Sequence, residues 1–333
     1  MARFSSRGMS TWELPLGYGR IKPDVVSYAQ DVSGSKMDSG CRTLSGTSVA
    51  SPVAAGAVAL LASTVPEEVR KKILNPASMK QALVEGAERL PDESIYVQGA
   101  GKVSLAASMK ILQSYQPRAS LIPERLDLTD CPYMWPFCTQ PLYAHAAPVM
   151  INGTILNGMS VTGSVEGTPT FAASNKAGEY LTMEFEVSDV LWPWSGYLAF
   201  YIRVSPDASH FSGVATGDIT FTVVSPPELG SSQERRSTVT VPFKAEIIPT
   251  PPREKRVLWD QFHSVKYPPG YFPRDSLETT KDILDWHGDH PHTNYHEVYD
   301  HLRGNGFFLE ILGSPFTCFD AAQVSAARGD DVI

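Results

Sequence analysis

Between residues 116 and 250 the chain alternates apolar and polar side chains with a period of two. The runs Tyr180–Val187, Tyr197–Val204 and Asp218–Val224 follow this pattern, and Ser237–Val241 follows it under a mask of Ser and Thr. Successive side chains of an extended strand point to opposite faces, so such runs predict half-buried β-strands. Turn residues punctuate the intervals, and several short strands so spaced predict an all-β sandwich. With 25 Gly and 26 Pro among 333 residues, the chain is turn-rich without being of low complexity.

On either side the pattern changes. Residues 1–115 read as α/β. Lys22–Val26 is a short apolar strand with a proline at its entry. A small-residue helix follows over 48–63, then an amphipathic one over 77–90 with Met79, Ala82, Leu83 and Ala87 on one face, then a third over 103–113. This is a layered α/β unit, and only the end of one. Ile248–Arg256 reads as an extended, proline-stiffened linker. Beyond it Val257–Trp259 predicts a strand, 293–304 a helix and Phe307–Leu312 a second strand. One strand–helix–strand unit cannot cover both faces of a parallel sheet, so 251–333 reads as a linker and a truncated further α/β domain. The expected divisions are therefore 1–115, 116–250 and 251–333.

A net charge of −8 gives the chain no electrostatic reason to bind nucleic acid. The longest apolar stretch, Val49–Leu61, is broken by Ser51, Pro52 and Gly56, so no transmembrane segment is predicted. The first residues have no apolar core of a signal peptide. Four cysteines are too few for a disulfide scaffold; Cys131 and Cys138 either close a short loop or remain buried thiols. Asn152-Gly153-Thr154 is a glycosylation sequon, placed at a predicted turn and usable only in a secretory lumen.

Five of the eight histidines crowd into 287–301 (His287, His290, His292, His296, His301). His292 and His296 stand four apart, but no Cys or Glu completes a ligand pattern, so no metal and no cofactor is predicted. Arg253–Arg256 resembles a basic cleavage site and reads better as solvated charge. Trp192-Pro193-Trp194 reads as a hydrophobic corner of the sandwich rather than a groove wall. Arg328-Gly329-Asp330 is a chance-level adhesion tripeptide.

The chemistry concentrates in Gly46–Pro52, followed by Ala55-Gly56. A serine opening a helix places its hydroxyl beside unpaired backbone N–H groups at the positive end of the helix dipole. Such donors stabilise a developing oxyanion. Pro52 requires a helix start near Ser48, within a turn of it. The small residues Ala50, Ala54, Ala55, Gly56 and Ala57 would let the helix bury itself against a sheet. A small-residue core helix with a Ser/Thr cap is the plainer alternative.

These residues resemble the serine motif GTSxASPxxAG of the subtilase family of serine endopeptidases. Chance agreement at eight positions is on the order of 10⁻⁹ per starting point. Phe4–Gly8, Lys22–Val25 and Gly99–Val103 resemble further segments of that family, in order. The resemblance implies the end of a subtilisin-like doubly wound domain, with Ser48 as nucleophile and its N–H as one oxyanion donor. Met9–Pro15, Leu128–Pro136, Val190–Tyr197, Arg256–Gln261, Tyr267–Arg274 and Val53 resemble a membrane-bound, kexin-like branch. That branch implies a Golgi or endoplasmic-reticulum enzyme whose protein substrates are membrane-bound transcription factor precursors, cut after a nearby basic residue.

Subtilases order their triad Asp, His, Ser, with an Asn oxyanion donor between His and Ser. Here no histidine precedes Ser48; the first is His145. Asp24 belongs to the Lys22–Val25 segment, and Asp31 and Asp38 lie too close to the serine. The chain therefore reads as the nucleophile part of an incomplete protease, inactive by itself. The alternative is a non-catalytic product that binds protein through its sandwich. Residues 1–115 are expected to fold poorly alone and 116–250 to fold independently.

Overall fold

The computed structural model describes residues 1–2, 4–8, 19–228, 230–260, 291–292 and 295–312. Met9–Pro15, Tyr267–Arg274, His287, His290, Cys318 and the Arg328–Asp330 tripeptide lie outside them.

The alternating region forms a sandwich of two four-stranded sheets. One has the order β3 (Ala119–Ile122), β5 (Val149–Asn157), β8 (Ser195–Val204), β7 (Leu181–Val187), antiparallel throughout. The other has the order β4 (Leu126–Asp127), β10 (Arg235–Ile247), β9 (Gly213–Ser225), β6 (Ser164–Ala173), with β4 parallel to β10. Ile151, Ile155, Leu198, Phe200 and Ile202 of the first sheet share one core with Ile219, Phe221, Val223, Val241 and Phe243 of the second. Each such side chain contributes about 1.5–3 kcal/mol by leaving water.

β5 and β6 went unpredicted for identifiable reasons. β5 is buried along almost its whole length, so it shows no alternation. β6 contains Gly167 and Pro169 at a break in its register between Glu166 and Thr170.

Residues 19–113 are mainly helical: α1 (Thr47–Thr64), α2 (Glu67–Ile73), α3 (Pro76–Glu85), α4 (Ile95–Gln98) and α5 (Leu105–Gln113), with a hairpin of β1 (Val32–Ser35) and β2 (Cys41–Leu44) before α1. α3 begins at a reciprocal cap. The Asn75 side chain accepts from Ser78 N–H, and the Asn75 N–H donates to Ser78 Oγ. The helix ends at Glu85, five residues before the expected 90, and at the following Gly86 a Cβ would sit 2.7 Å from the Ser108 nitrogen, so the chain passes Ser108 closely there.

Lys22–Val26 is not a strand; only Val26 pairs, in an isolated parallel bridge with Lys102. No layered parallel sheet stands among the described residues of 1–115. α1 accordingly buries only Ala57 and Leu61, not a small-residue face against a sheet. Leu61 packs with Val65, Met79, Ala82 and Leu112 in a small separate core. By length and composition alone α1 is long and apolar enough to cross a membrane, because its Ala and Gly interrupt the apolar run without introducing a charge.

The sandwich core reaches into the helical segment through Ile21, Ile95 and Tyr96. Residues 128–140 mediate the contact: Ile95 N–H donates to the Tyr133 carbonyl at 2.7 Å, and the Tyr133 hydroxyl to the Gly99 carbonyl at 3.1 Å. Cys131 and Cys138 are joined there in a disulfide with Cα atoms 5.4 Å apart. Cys41 is a free, exposed thiol.

The stretch after β10 is docked rather than a free linker. Thr250 donates to Ser209 and Ala144 carbonyls, and Pro251 is buried. β11 (Arg256–Trp259) and β12 (Phe308–Ile311) then pair in parallel, with α6 (His296–Gly304) between them in the chain. Arg256, read above as solvated charge, is bound to Glu310 at 2.7 Å.

Candidate functional site

Ser48 is the second residue of α1 and is exposed. Gly46 turns the chain into the helix at φ +153°, a backbone region that glycine occupies without strain. Its N–H is anchored on the Ala29 carbonyl at 2.8 Å, and its carbonyl receives the N–H groups of Val49 and Ala50. The N–H groups of Thr47 and Ser48 find no acceptor among the described residues. No side chain caps the helix and no acid occupies its first turn. The Ser48 hydroxyl therefore stands at an open, positively polarised helix end with a free N–H of its own residue, the arrangement that binds a developing oxyanion.

Pro52 is the sixth helical residue, so it lies in the second turn rather than the first. Its missing N–H leaves the Ser48 carbonyl without an intrahelical donor.

Three sequence segments upstream and downstream of the serine meet in space. Gly8 N–H donates to the Lys22 carbonyl at 2.7 Å and approaches the Tyr96 carbonyl at 3.1 Å. Ala100 N–H donates to Asp24, Val26 N–H to Gly101, and Val103 N–H to Val26, each at 2.9 Å. Gly99, at φ +62°, would place a Cβ 2.1 Å from the Pro23 carbonyl oxygen, so only glycine fits that crossing. Phe4–Gly8, Lys22–Val26 and Gly99–Val103 thus form one knot.

Asp24 sits in the knot and not at the serine. Burial pushes its carboxyl up, but hydrogen bonds and charge from Lys22 at 2.7 Å and Lys80 at 3.1 Å outweigh that and hold it below the ordinary value. Among the described residues no imidazole or carboxylate hydrogen-bonds the Ser48 hydroxyl. Asp31 turns instead to Ser45, whose Oγ accepts its N–H at 2.9 Å. His145 contacts Ser209 at 3.1 Å, far along the chain in the sandwich.

The other sequence candidates have structural surroundings. Asn152 is in the interior of β5, paired with Ala199 and only 6% exposed, not at a turn. The expected turn position is thus an enclosed strand position in the folded sandwich. His292 packs edge-on against Tyr299 and Trp135, with ring centroids 4.5 and 5.8 Å away. No group of three metal-ligating side chains stands among the described residues. Trp194 packs with Ala77 and Ile122 at the sandwich corner, while Trp192 is exposed.

Comparison with known proteins matches the parts of the chain one by one. Residues 1–101 match the subtilase family. Residues 122–250 match the third, Ig-like domain of MBTPS1, and 251–327 its fourth, GATase-like domain. The chain is thus similar to the subtilase family over its first part and to two successive domains of MBTPS1 after it. More narrowly, it is 56% identical over 326 residues to the human membrane-bound transcription factor site-1 protease, covering 97% of this chain and 31% of that protein. Identity to the subtilisin-like protease SBT6.1 of Arabidopsis thaliana is 59% over 323 residues, with the same coverage of 97% and 31%. The serine protease AprX of Bacillus subtilis is 31% identical over 123 residues, covering 33% of this chain and 25% of that protein. The chain spans about a third of the length of the site-1 proteases it matches.

Proposed function

We propose that these 333 residues supply the nucleophile of a subtilase-type endopeptidase acting on membrane-bound transcription factor precursors in the Golgi or endoplasmic-reticulum lumen. The observation that supports this reading is the exposed Ser48 hydroxyl at the uncapped start of α1, beside its own unpaired N–H. In the proposed reaction Ser48 Oγ attacks the scissile carbonyl, and a histidine takes its proton as the C–O bond forms. The tetrahedral oxyanion is held by the Ser48 N–H. The same histidine returns the proton to the leaving amine, and water then hydrolyses the acyl-enzyme.

The histidine and its orienting aspartate come from outside this stretch, because no histidine precedes Ser48 and none of those described reaches it. A serine without a base is a poor nucleophile near neutral pH. The Cys131–Cys138 disulfide supports an oxidising lumen.

The test is incubation of the purified chain with a fluorogenic Arg-containing peptide. No turnover is expected. Hydrolysis that disappears in Ser48→Ala would overturn the claim that the base lies elsewhere. In a protein of the relatives' full length, Ser48→Ala should lower kcat by roughly 10⁴–10⁶; retention of activity there would remove Ser48 from its role.

A further inference from the structure

We propose that Arg253-Glu254-Lys255-Arg256 is a processing site for an endoprotease that cuts after paired basic residues, and that the segment 296–311 is its cover. The bond to be cut joins Arg256 to Val257. The site does not involve Ser48 and stands apart from the reading of that serine.

The tetrad places basic side chains at its first, third and fourth positions. A protease cleft takes up such a segment as an extended strand. The folded chain withholds that shape twice. Arg253–Lys255 is wound into a 3₁₀ turn, closed by the Lys255 N–H on the Pro252 carbonyl at 2.9 Å. Arg256–Trp259 is extended, but its ladder is taken by Phe308–Ile311.

The two cations nearest the bond are held as well. Lys255 Nζ donates to the Asn305 carbonyl at 3.5 Å and stands 4.4 Å from the centre of the Phe307 ring. Arg256 Nε donates to Glu310 Oε1 at 2.7 Å and Nη2 to the His145 carbonyl at 2.6 Å, while the guanidinium lies 5.5 Å from the centre of the Tyr143 ring. Arg253 and Glu254 are exposed. The outermost cation is thus presented to solvent, and the pair beside the bond is clasped.

This clasp is a local structure. A sheet of two four-residue strands is marginal by itself, and none of the four residues of β11 is fully buried. β10, by contrast, sets Val241, Phe243, Ala245 and Ile247 into the sandwich core. β11 therefore peels from β12 at lower cost than the sandwich unfolds. Cleavage follows the population of that peeled state. Water adds across the bond, its hydroxyl to the Arg256 carbonyl carbon and a proton to the Val257 nitrogen. The Cys131–Cys138 bridge lies wholly on the sandwich side of the cut and does not hold the two products together.

The probe is a soluble serine endoprotease specific for Lys-Arg pairs, incubated with the full chain under native conditions. Intact mass and N-terminal sequencing read the cut. A synthetic peptide, Thr-Pro-Pro-Arg-Glu-Lys-Arg-Val-Leu-Trp-Asp, carries the same bond without the cover. The peptide should be cut before its Val with a kcat/KM roughly a hundredfold or more above that of the chain. Glu310→Ala, with unchanged circular dichroism, should speed release of the fragment beginning at Val257 by roughly tenfold or more. Phe307→Ala, which leaves Glu310 in place, should speed it about threefold. Leu61→Ala, which weakens the separate small core beside α1, should leave that rate unchanged. Arg256→Ala opens the clasp but removes the recognised cation, so the fragment should not form.

The proposal is overturned by resistance of the peptide, by cleavage of the chain as fast as the peptide, by a cut that maps elsewhere, or by acceleration in Leu61→Ala equal to that in Glu310→Ala. A rate moved by neither Glu310→Ala nor Phe307→Ala overturns the cover.

Discussion

Arg89 and Asp130 form a two-pronged pair between the helical segment and the sandwich. Arg89 Nη1 donates to Asp130 Oδ2 at 2.6 Å and Nη2 to Oδ1 at 2.8 Å, while the guanidinium lies 3.7 Å above the Tyr133 ring. The planar fork and the stacked ring fix both the distance and the angle at which residues 86–99 meet the disulfide loop. Both side chains retain contact with solvent, which screens the charge term. Arg89→Ala should cost about 1 kcal/mol in urea unfolding. Arg89→Lys should recover less than half of that, because an ammonium cannot make the fork. Full recovery by lysine would reduce the contact to simple charge.

Acid should loosen the same half of the molecule. Asp24 is held below its ordinary value of 3.8 against the opposing effect of burial, and Asp130 is held down chiefly by Arg89. A carboxyl depressed in the folded state contributes stability that is complete above its unfolded pKa and is lost as pH falls through the folded one. Urea midpoints should therefore hold down to about pH 4 and fall below it. Asp24→Asn should lower the midpoint at neutral pH and flatten the acid limb. An unchanged acid limb in that variant would show that Asp24 carries none of the linkage.

Glu310 fastens the last strand pair to the sandwich. Its Oε1 accepts from Arg256 Nε at 2.7 Å and from the Tyr143 hydroxyl at 3.0 Å, and its Oε2 accepts from Ala147 N–H at 2.9 Å. The carboxylate is nearly buried, so removing it strands Arg256 and two further donors. Glu310→Ala should cost about 3 kcal/mol, and trypsin should then cut at Arg253 or Arg256 at least several times faster. Glu310→Gln, which keeps acceptor capacity, should fall between. Unchanged proteolysis in Glu310→Ala would show that the segment is held by other contacts.

The Cys131–Cys138 bridge closes a loop with a sequence separation of seven. A loop that short yields roughly 2–3 kcal/mol by restricting the unfolded chain. The double variant Cys131→Ser, Cys138→Ser should lose that amount. Because Tyr133 lies inside the loop and donates to Gly99, protection of amides near residue 99 should fall too. Retained protection there would confine the bridge's effect to the loop.

How much of this was readable beforehand depended on where each signal resides. The strands β7, β9 and β10 were visible because one face is more open to water than the other, which writes burial into alternate residues, and the central β8 because its second half alternates between buried and half-buried residues. β5 was invisible for the opposite reason: it is buried almost throughout, and its Asn152 looked like a turn sequon. α1 was legible as a helix, but its surroundings were not. Small residues fit either a buried face or an open one, and here Val58, Leu61 and Ala62 carry its packing into the small core.

The helix-opening position of Ser48, the proposed nucleophile, was legible in the sequence, because helix start, glycine entry and serine are neighbours along the chain. The two tryptophans of one tripeptide could be told apart only in three dimensions, Trp194 against Ala77 and Trp192 in solvent. So it is with Arg256 and Glu310, 54 residues apart. Local chemistry is set by adjacent side chains, and the sequence determines it directly. Which carboxylate meets which cation and which sequon is buried depend on contacts between distant residues, and only the tertiary structure decides them.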